Sequence, residues 1–208
     1  MILALDTCLT ACSAAILDGD RVLAARSEAM PRGHQERLAP MVRELAAEAG
    51  VAFKTLTRIG VTVGPGSFTG LRVGIAFAKG LGAALSVPVV GVGTLEAMAF
   101  GRTGFVAAAI DARRGQIYLQ LFGDGAALTA PDAVTLETAA ARIAEVYAGG
   151  PATFTGSGAP LLDGILAGAA IETPDGPDPV AIARLAAAAP LRPVRPLYLR
   201  APDAKLPI

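Results

Sequence analysis

The chain has 208 residues, enough for one large domain or for two smaller lobes that share a core. Its 18 basic residues balance its 18 acidic ones, so the overall charge provides no general attraction for nucleic acid, although local basic patches stay possible. Hydrophobic residues make up 53% of the chain, which indicates well-covered sheets and a sizeable apolar contact surface.

Several features predict a cytoplasmic protein. The first residues have neither the basic start nor the cleavage site of a signal peptide. The uncharged apolar stretch at residues 80–95 is shorter than the roughly 20 residues that a membrane helix needs. The only cysteines, Cys8 and Cys12, would lie about 13 Å apart along a strand, so a disulfide between them would require a bend and is not expected.

The chain begins with three strands that predict an antiparallel meander. Residues 2–6 and 11–17 are apolar, residues 18–20 (Asp-Gly-Asp) are a hairpin turn signal, and residues 21–26 return as the third strand. A helix over residues 35–48 follows, because apolar positions recur there at spacings of three and four. These apolar positions are Leu38, Met41, Val42, Leu45 and Ala49.

The most informative segment is GPGSFTGLRVG, residues 64–74, which joins an apolar strand at 59–63 to a helix at 71–85. Its glycines and proline allow the backbone to turn sharply. Ser67 and Thr69 can accept amide hydrogens at the helix start, and free amides there favour an anion such as phosphate. The segment lacks the lysine of a P-loop, so a tight turn without a ligand is an equal alternative.

The helix at 71–85 presents two ridges. Small residues recur every four positions, at Gly70, Gly74, Ala78 and Gly82. A neighbouring ridge carries the large apolar residues Val73, Phe77, Leu81 and Leu85. Glycine inside a helix costs roughly 1 kcal/mol relative to alanine. We therefore expect close packing to offset this cost, either within the chain or against a helix of another subunit.

The second half of the chain repeats part of this pattern. The predicted elements are strands at 87–92, 105–110, 116–122 and 153–155, helices at 94–100, 138–147, 160–166 and 179–189, a loop at 172–179, and a proline-rich tail from residue 192. The imperfect repetition predicts a mixed α/β fold with two lobes. The first lobe would span residues 1–100, and a smaller second lobe with the tail would span residues 101–208.

Four segments resemble one known family: ILALDT at the start, GPGSFTGLRVG, VGVGTLEAMA at 90–99, and PLYLRAPDAK in the tail. Together they are similar to the TsaB (YeaZ) family of the actin-like ATPase superfamily, which also contains sugar kinases and Hsp70 chaperones. The resemblance spans nearly the whole chain, and the glycine-rich segment is its most specific part. It implies a two-lobed actin-like, ribonuclease H-like fold, with mixed sheets flanked by helices and a reduced second lobe.

The resemblance also implies a role in placing threonylcarbamoyl on the adenosine beside the tRNA anticodon. Members of the family pair with a larger catalytic paralogue, TsaD; a small ATPase, TsaE, joins the pair, and tRNA is reached through the complex. The pairing uses the first two helices, which implies a partner interface at Leu38, Met41, Val42, Leu45, Gly70, Val73, Gly74, Phe77 and Leu81. The same apolar surface makes a homodimer plausible when the partner is absent.

Compared with the catalytic paralogue, this chain lacks the residues of a metal site. Thr94 and Met98 stand where the paralogue's two histidines hold its metal, and threonine is a poor ligand while a thioether prefers soft ions. The only histidine, His34, lies where the first helix begins and cannot form a metal site alone. We expect no metal and no catalytic residue in this chain, with metal and ATP on the partner proteins.

A degenerate nucleotide site is the remaining possibility. In actin-like folds the first turn of each meander holds phosphates, and Asp6 and Thr7 keep part of that chemistry. The second turn carries Arg113 and Arg114, which could hold a phosphate, fill the cleft, bind an RNA backbone or be solvated. The main alternative function is therefore a stand-alone ATPase or phosphotransferase. A metallopeptidase is disfavoured by the missing histidines.

Overall fold

Five strands form the first sheet: β1 (Ile2–Asp6), β2 (Ala11–Asp18), β3 (Arg21–Ala29), β4 (Arg58–Gly64) and β5 (Val89–Gly93). The computed structural model describes residues 1–191 and 193–200. The spatial order is β3-β2-β1-β4-β5. The first three strands are the predicted antiparallel meander, while β4 runs parallel to β1 and β5 parallel to β4.

Two long helices, α1 (His34–Glu48) and α2 (Phe68–Leu85), cover one face of this sheet. Helix α2 begins before the predicted start at residue 71, because the Ser67 hydroxyl accepts the amide hydrogen of Gly70 at 3.2 Å and caps the helix. Thr69, the other predicted cap, lies inside the helix. In the described part of the chain, α2 is the one helix long and apolar enough to cross a membrane, although its small-residue face packs on the protein's own strands.

The second sheet contains β6 (Phe105–Arg113), β7 (Gln116–Gly123), β8 (Ala126–Ala127), β9 (Asp132–Thr135), β10 (Ala152–Thr155) and β11 (Ala170–Glu172). Its order is β11-β10-β6-β7-β8, with β9 also paired to β7. Helix α4 (Leu136–Val146) packs on this sheet, and the short α3 (Thr94–Ala99) precedes it in the chain. The predicted helix at 160–166 is wrong: only Ala159–Leu162 forms a 3₁₀ turn, because Gly164 turns the backbone at a φ of 80°.

Helix α5 (Pro179–Ala188) corrects the predicted lobe boundary. It follows the second sheet in the chain but packs on the free face of the first sheet, where Ile182 and Ala183 join the buried cluster around Ala4. Helix α5 lies very close to β4, since a Cβ at Gly60 of β4 would lie 2.6 Å from the Cβ of Ala186. The first lobe is therefore built from two distant segments, and a division at residue 100 does not separate the lobes.

Ion pairs join β3 to α1. The Arg37 guanidinium donates to both carboxylate oxygens of Glu28 at 2.6 Å and to those of Glu44 at 2.8 Å. These hydrogen bonds lower the pKa of Glu44 to about 2. A lowered carboxyl pKa stabilises the fold above the ordinary value of 4.5, and that stabilisation is lost as the pH falls through the lowered value.

We expect Arg37→Leu to lower the free energy of unfolding at pH 7, and we expect the loss to shrink as the pH falls below 4 because Glu28 and Glu44 become protonated. Urea unfolding across this pH range measures the difference. Arg43→Leu, which removes the same charge from an exposed position on α1, is the control. An equal effect of Arg37→Leu at every pH would contradict the role of the ion pairs.

Candidate functional site

A cleft of about 1110 Å³ lies between the lobes, beyond the carboxyl ends of β1 and β4. Its first-lobe wall is formed by the β1–β2 turn, by the start of α1 at His34, and by the glycine-rich turn before α2. The β6–β7 turn and Ser157 form the second-lobe wall. Residues 197–200 of the tail also line it, so both lobes and the tail meet at this place.

The glycine-rich turn packs tightly against the β1–β2 turn. A Cβ at Gly66 would lie 2.6 Å from the carbonyl oxygen of Cys8, and a Cβ at Gly70 would overlap the carbonyl oxygen of Thr7. The Ser67 amide donates to the Cys8 carbonyl at 2.7 Å, and the Thr7 hydroxyl donates to the Gly70 carbonyl at 2.7 Å. Close backbone packing accounts for these glycines, which favours the tight-turn interpretation over a phosphate site.

Asp6 and Thr7, the candidate phosphate-turn residues, are buried beneath the cleft. Asp6 Oδ1 accepts hydrogen bonds from the Thr62 hydroxyl at 2.5 Å and from the Cys8 amide at 3.1 Å. Asp6 Oδ2 is buried without a hydrogen-bond partner among the described residues. Burial also raises the pKa of the Cys8 thiol well above its ordinary value, and Cys8 and Cys12 are free thiols, as expected.

Burial raises the pKa of the Asp6 carboxyl above its ordinary value of 3.8, and the hydrogen bonds from Thr62 and Cys8 oppose that rise only in part. The folded chain therefore binds this proton more tightly than the unfolded chain. The stabilisation from a raised carboxyl pKa is fully present below 3.8 and is lost as the pH rises through the folded-state value.

We therefore expect Asp6→Asn, which cannot ionise, to gain stability relative to the unmodified chain as the pH rises from 4 to 8. Urea unfolding at several pH values measures this difference. Asp18→Asn, which removes an exposed carboxyl at the end of β2, is the control and should follow the unmodified chain. Parallel pH profiles for Asp6→Asn and the unmodified chain would show that Asp6 does not carry this dependence.

The fold class implies a nucleotide with a divalent metal ion in the cleft, and the residues present do not fit that group. The loop before α5 covers Asp6: a Cβ at Gly176 would lie 3.2 Å from Asp6 Oδ2, and the Thr10 amide donates to the Asp175 carbonyl at 3.1 Å. The Asp6 side chain has no exposed surface to offer a hydrated cation. Within residues 1–191 and 193–200, no group of three or more His, Cys, Asp or Glu side chains is placed so that it could hold a metal ion.

The predicted arginines lie at the tip of the β6–β7 hairpin. Arg113 and Arg114 have φ angles of 61° and 56°, in the left-handed region that non-glycine residues rarely occupy. The Asp111 carboxylate supports the turn by accepting the Arg113 amide hydrogen at 2.7 Å. Arg113 lines the cleft, whereas Asp6 and Thr7 lie beneath its opposite wall, so the predicted set is divided between the two lobes.

Six of the predicted partner-interface residues require a correction. Four side chains of α1 are at most 1% exposed and belong to the core of the first lobe: Leu38, Met41, Val42 and Leu45. Gly70 and Gly74 of α2 face β1, where a Cβ at Gly74 would lie 2.7 Å from the Thr7 hydroxyl oxygen. The apolar periodicity is real, but these positions pack against the protein's own sheet and helices and lie beneath the helix surface; of the four α1 side chains, Leu38 also lines the base of the groove between α1 and α2.

The remaining predicted interface residues lie nearer the surface. Val73 and Phe77 line a groove of about 470 Å³ between α1 and α2, and Leu81 is half-buried one turn further along. The groove is apolar for most of its length. Its lining residues are Gln35, Leu38, Phe68, Thr69, Arg72, Val73, Ala76 and Phe77.

An aromatic cluster at the end of this groove was not predicted. The rings of Phe68 and Tyr198 lie 5.4 Å apart, although both side chains keep more than 40% of their surface exposed. Arg72 places its guanidinium carbon 3.6 Å from the Phe68 ring centre and donates through Nε to the Tyr198 hydroxyl at 3.2 Å. The tail holds Tyr198 there because the Leu197 amide donates to the Val63 carbonyl at 2.7 Å. The placement of an aromatic residue, Phe68, directly after the Ser67 cap was the one sequence signal for this cluster.

Two helix-flanked sheets, each built around an antiparallel hairpin and separated by a cleft, define a two-lobed α/β protein of the actin-like class. The model of the TsaD family, tRNA N6-adenosine threonylcarbamoyltransferase, matches residues 26–153. YeaZ from Pseudomonas aeruginosa superposes with a TM-score of 0.81 at 31% identity, covering 95% of this chain and 99% of that one. The chain belongs to the TsaB (YeaZ) family.

The chain is also similar in sequence to TsaB proteins of other bacteria. The TsaB protein of Escherichia coli is 42% identical over 122 residues, 56% of this chain. The chain spans about half the length of the curated TsaB relatives that it matches, 52% for the Escherichia coli protein. The ethanolamine utilization protein EutJ of Carboxydothermus hydrogenoformans, with a TM-score of 0.50 at 15% identity, shares the fold alone.

Proposed function

We propose that this chain is a non-catalytic subunit of the cytoplasmic machinery that places threonylcarbamoyl on the tRNA adenosine beside the anticodon. Its role is to bind and activate a larger TsaD-like paralogue. A TsaE-like ATPase joins that pair, and tRNA is reached through the complex. Relatives at 38% to 42% identity bear the name tRNA threonylcarbamoyladenosine biosynthesis protein, and the proposal extends that pathway to this chain.

The apolar groove between α1 and α2 carries this proposal. It presents the half-buried Val73 and Phe77 together with the exposed Ala76 and Phe68 on one continuous surface. Exposed apolar surface of this kind is characteristic of protein–protein contacts. The groove also lies on the two helices through which the resemblance predicts pairing with the paralogue.

The packing of the remaining candidate groups supports a non-catalytic role. Asp6 is sealed beneath the loop before α5, so it is not available to a nucleotide-bound cation. Thr94 and Met98, at the positions of the paralogue's histidines, are at most 2% exposed and pack inside the protein. A chain with these groups buried would contribute to the complex by contacting its partner and not by catalysis. It would act without a bound nucleotide or metal of its own.

Reconstitution tests the proposal. The full chain is mixed with its larger paralogue, the small ATPase, tRNA, ATP, threonine and a source of the threonylcarbamoyl adenylate, and modified adenosine is measured with and without the chain. We expect modification to fall at least tenfold when the chain is omitted, and we expect the chain and the paralogue to elute together on size exclusion.

The isolated chain with ATP and magnesium is the control. We expect no turnover above background and no heat of nucleotide binding by calorimetry. Full modification in the absence of the chain would contradict the proposal. Magnesium-dependent ATP hydrolysis by the chain alone would instead favour the stand-alone ATPase.

A further inference from the structure

We infer that Arg72 is the recognition residue of the α1–α2 groove and that it binds a carboxylate of the partner protein that docks there. This inference rests on the proposed function, since it names the chemistry of the contact through which the paralogue would bind. The occupant of the groove is an apolar segment of the partner that carries an Asp or Glu opposite the Phe68 end.

The Arg72 guanidinium is held in place before any partner arrives. Its central carbon lies over the Phe68 ring, 3.6 Å from the ring centre, and its Nε donates to the Tyr198 hydroxyl at 3.2 Å. Ordering an arginine side chain on binding costs conformational entropy. Because this guanidinium is already stacked and hydrogen-bonded in the free chain, much of that cost does not have to be met when the partner binds. Arginine and tyrosine at the edge of an apolar surface are also the residue types that dominate binding energy in protein interfaces.

The remaining donors of Arg72 are available. Its Nη1 and Nη2 make no hydrogen bond within the described part of the chain, and no carboxylate of the described residues pairs with them. A guanidinium presents two parallel N–H groups that match the two oxygens of a carboxylate. The stacked position therefore leaves free the side of the group that recognises an acid.

The rest of the groove explains why the ligand is a carboxylate on a protein. Arg72 is the one charged side chain among the described residues that line the groove, and its neighbours Val73, Ala76 and Phe77 require an apolar partner surface. Docking such a surface removes water from Arg72, and a buried cation without a counter-charge is strongly unfavourable. A second copy of this chain, docked groove to groove, would bring a second Arg72 to the same interface and add a like charge.

The experiment measures the affinity of the full chain for its larger paralogue by calorimetry. We expect Arg72→Glu to weaken binding at least 100-fold and Arg72→Lys about tenfold, because lysine keeps the charge but loses the fork and the stacking. Lys79→Glu, the same charge reversal on the exposed surface of α2 outside the groove, should change affinity less than threefold. Thermal unfolding of each variant separates a loss of binding from a loss of folding.

Carbodiimide coupling identifies the ligand directly. This reagent joins a lysine amine to a carboxylate in contact with it, so the Arg72→Lys chain in complex should couple to one Asp or Glu of the paralogue, identified by mass spectrometry. Coupling of the amine introduced by Arg72→Lys to a second copy of the chain instead would overturn the assignment of the partner.

Two different outcomes distinguish a failure of the Arg72 assignment from a failure of the proposed function. If Arg72→Glu and Lys79→Glu bind equally well while Ala76→Asp does not bind, the groove is the docking site and the inference about Arg72 is wrong. If the unmodified chain does not bind the paralogue at all, the proposed function itself is wrong.

Discussion

Phe77→Asp is expected to abolish pairing of this chain with its larger paralogue, with an affinity at least 100-fold lower than that of the unmodified chain. The reason is desolvation: docking would bury an unpaired carboxylate in an apolar groove, which costs about 3–5 kcal/mol. Phe77 is half-buried and packs on the first-lobe core, so its replacement also removes contacts inside the chain. Ala76→Asp is the sharper variant, because Ala76 lines the same groove but is exposed.

Calorimetric titration with the paralogue, together with thermal unfolding of each chain, checks this result. Ala83→Asp is the matched control, since it places the same charge on an exposed position of α2 outside the groove. We expect Ala76→Asp to fold normally and fail to bind, and Ala83→Asp to fold and bind normally. Normal pairing by Ala76→Asp would place the contact on another surface of the protein.

Gly70→Ala is expected to lower the free energy of unfolding by about 3 kcal/mol or more, although alanine is the better helix former. The added methyl group would overlap the carbonyl oxygen of Thr7, which is buried backbone and cannot move away without disturbing β1. The same shift would disturb the hydrogen bond from the Thr7 hydroxyl to the Gly70 carbonyl.

Gly80→Ala in the same helix should have the opposite effect and raise the free energy of unfolding. No atom lies within 4 Å of a Cβ at Gly80, so the added methyl group meets no obstacle and should stabilise the chain by about 0.5–1 kcal/mol. Urea unfolding of both variants at one pH makes the comparison. Equal effects of the two substitutions would mean that contact with Thr7 does not explain the glycine at position 70.

Local patterns in the sequence were sufficient to predict most of the first lobe. The meander of β1–β3, helix α1 and helix α2 each follow from spacing, turn residues and the Ser67 cap, which act within a few residues of chain. The strands β8, β9 and β11 have two to four residues, too few to show a pattern, and tertiary pairing alone forms them. The segment 201–205 of the family resemblance lies outside the described residues.

The candidate site was harder to predict, because periodicity identifies an apolar face without saying what covers it. The face of Met41 and Leu45 was assigned to a partner, but the chain's own sheet covers it. The cluster of Arg72 with Tyr198 joins positions 126 residues apart, and the cover over Asp6 comes from Gly176 near the far end of the chain. Contacts of this range depend on the assembled fold, which single-sequence patterns do not contain.

The return of α5 to the first sheet has a consequence for synthesis on the ribosome. The strands β1, β2, β4 and β5 emerge before the second sheet, whereas the helix that covers their second face emerges only after that sheet has been synthesised. Translation proceeds at about 5–20 residues per second. The sheet face that contains Ala4 and Val92 therefore stays uncovered in the nascent chain for several seconds. During that interval a chaperone that binds exposed apolar strands could bind this face.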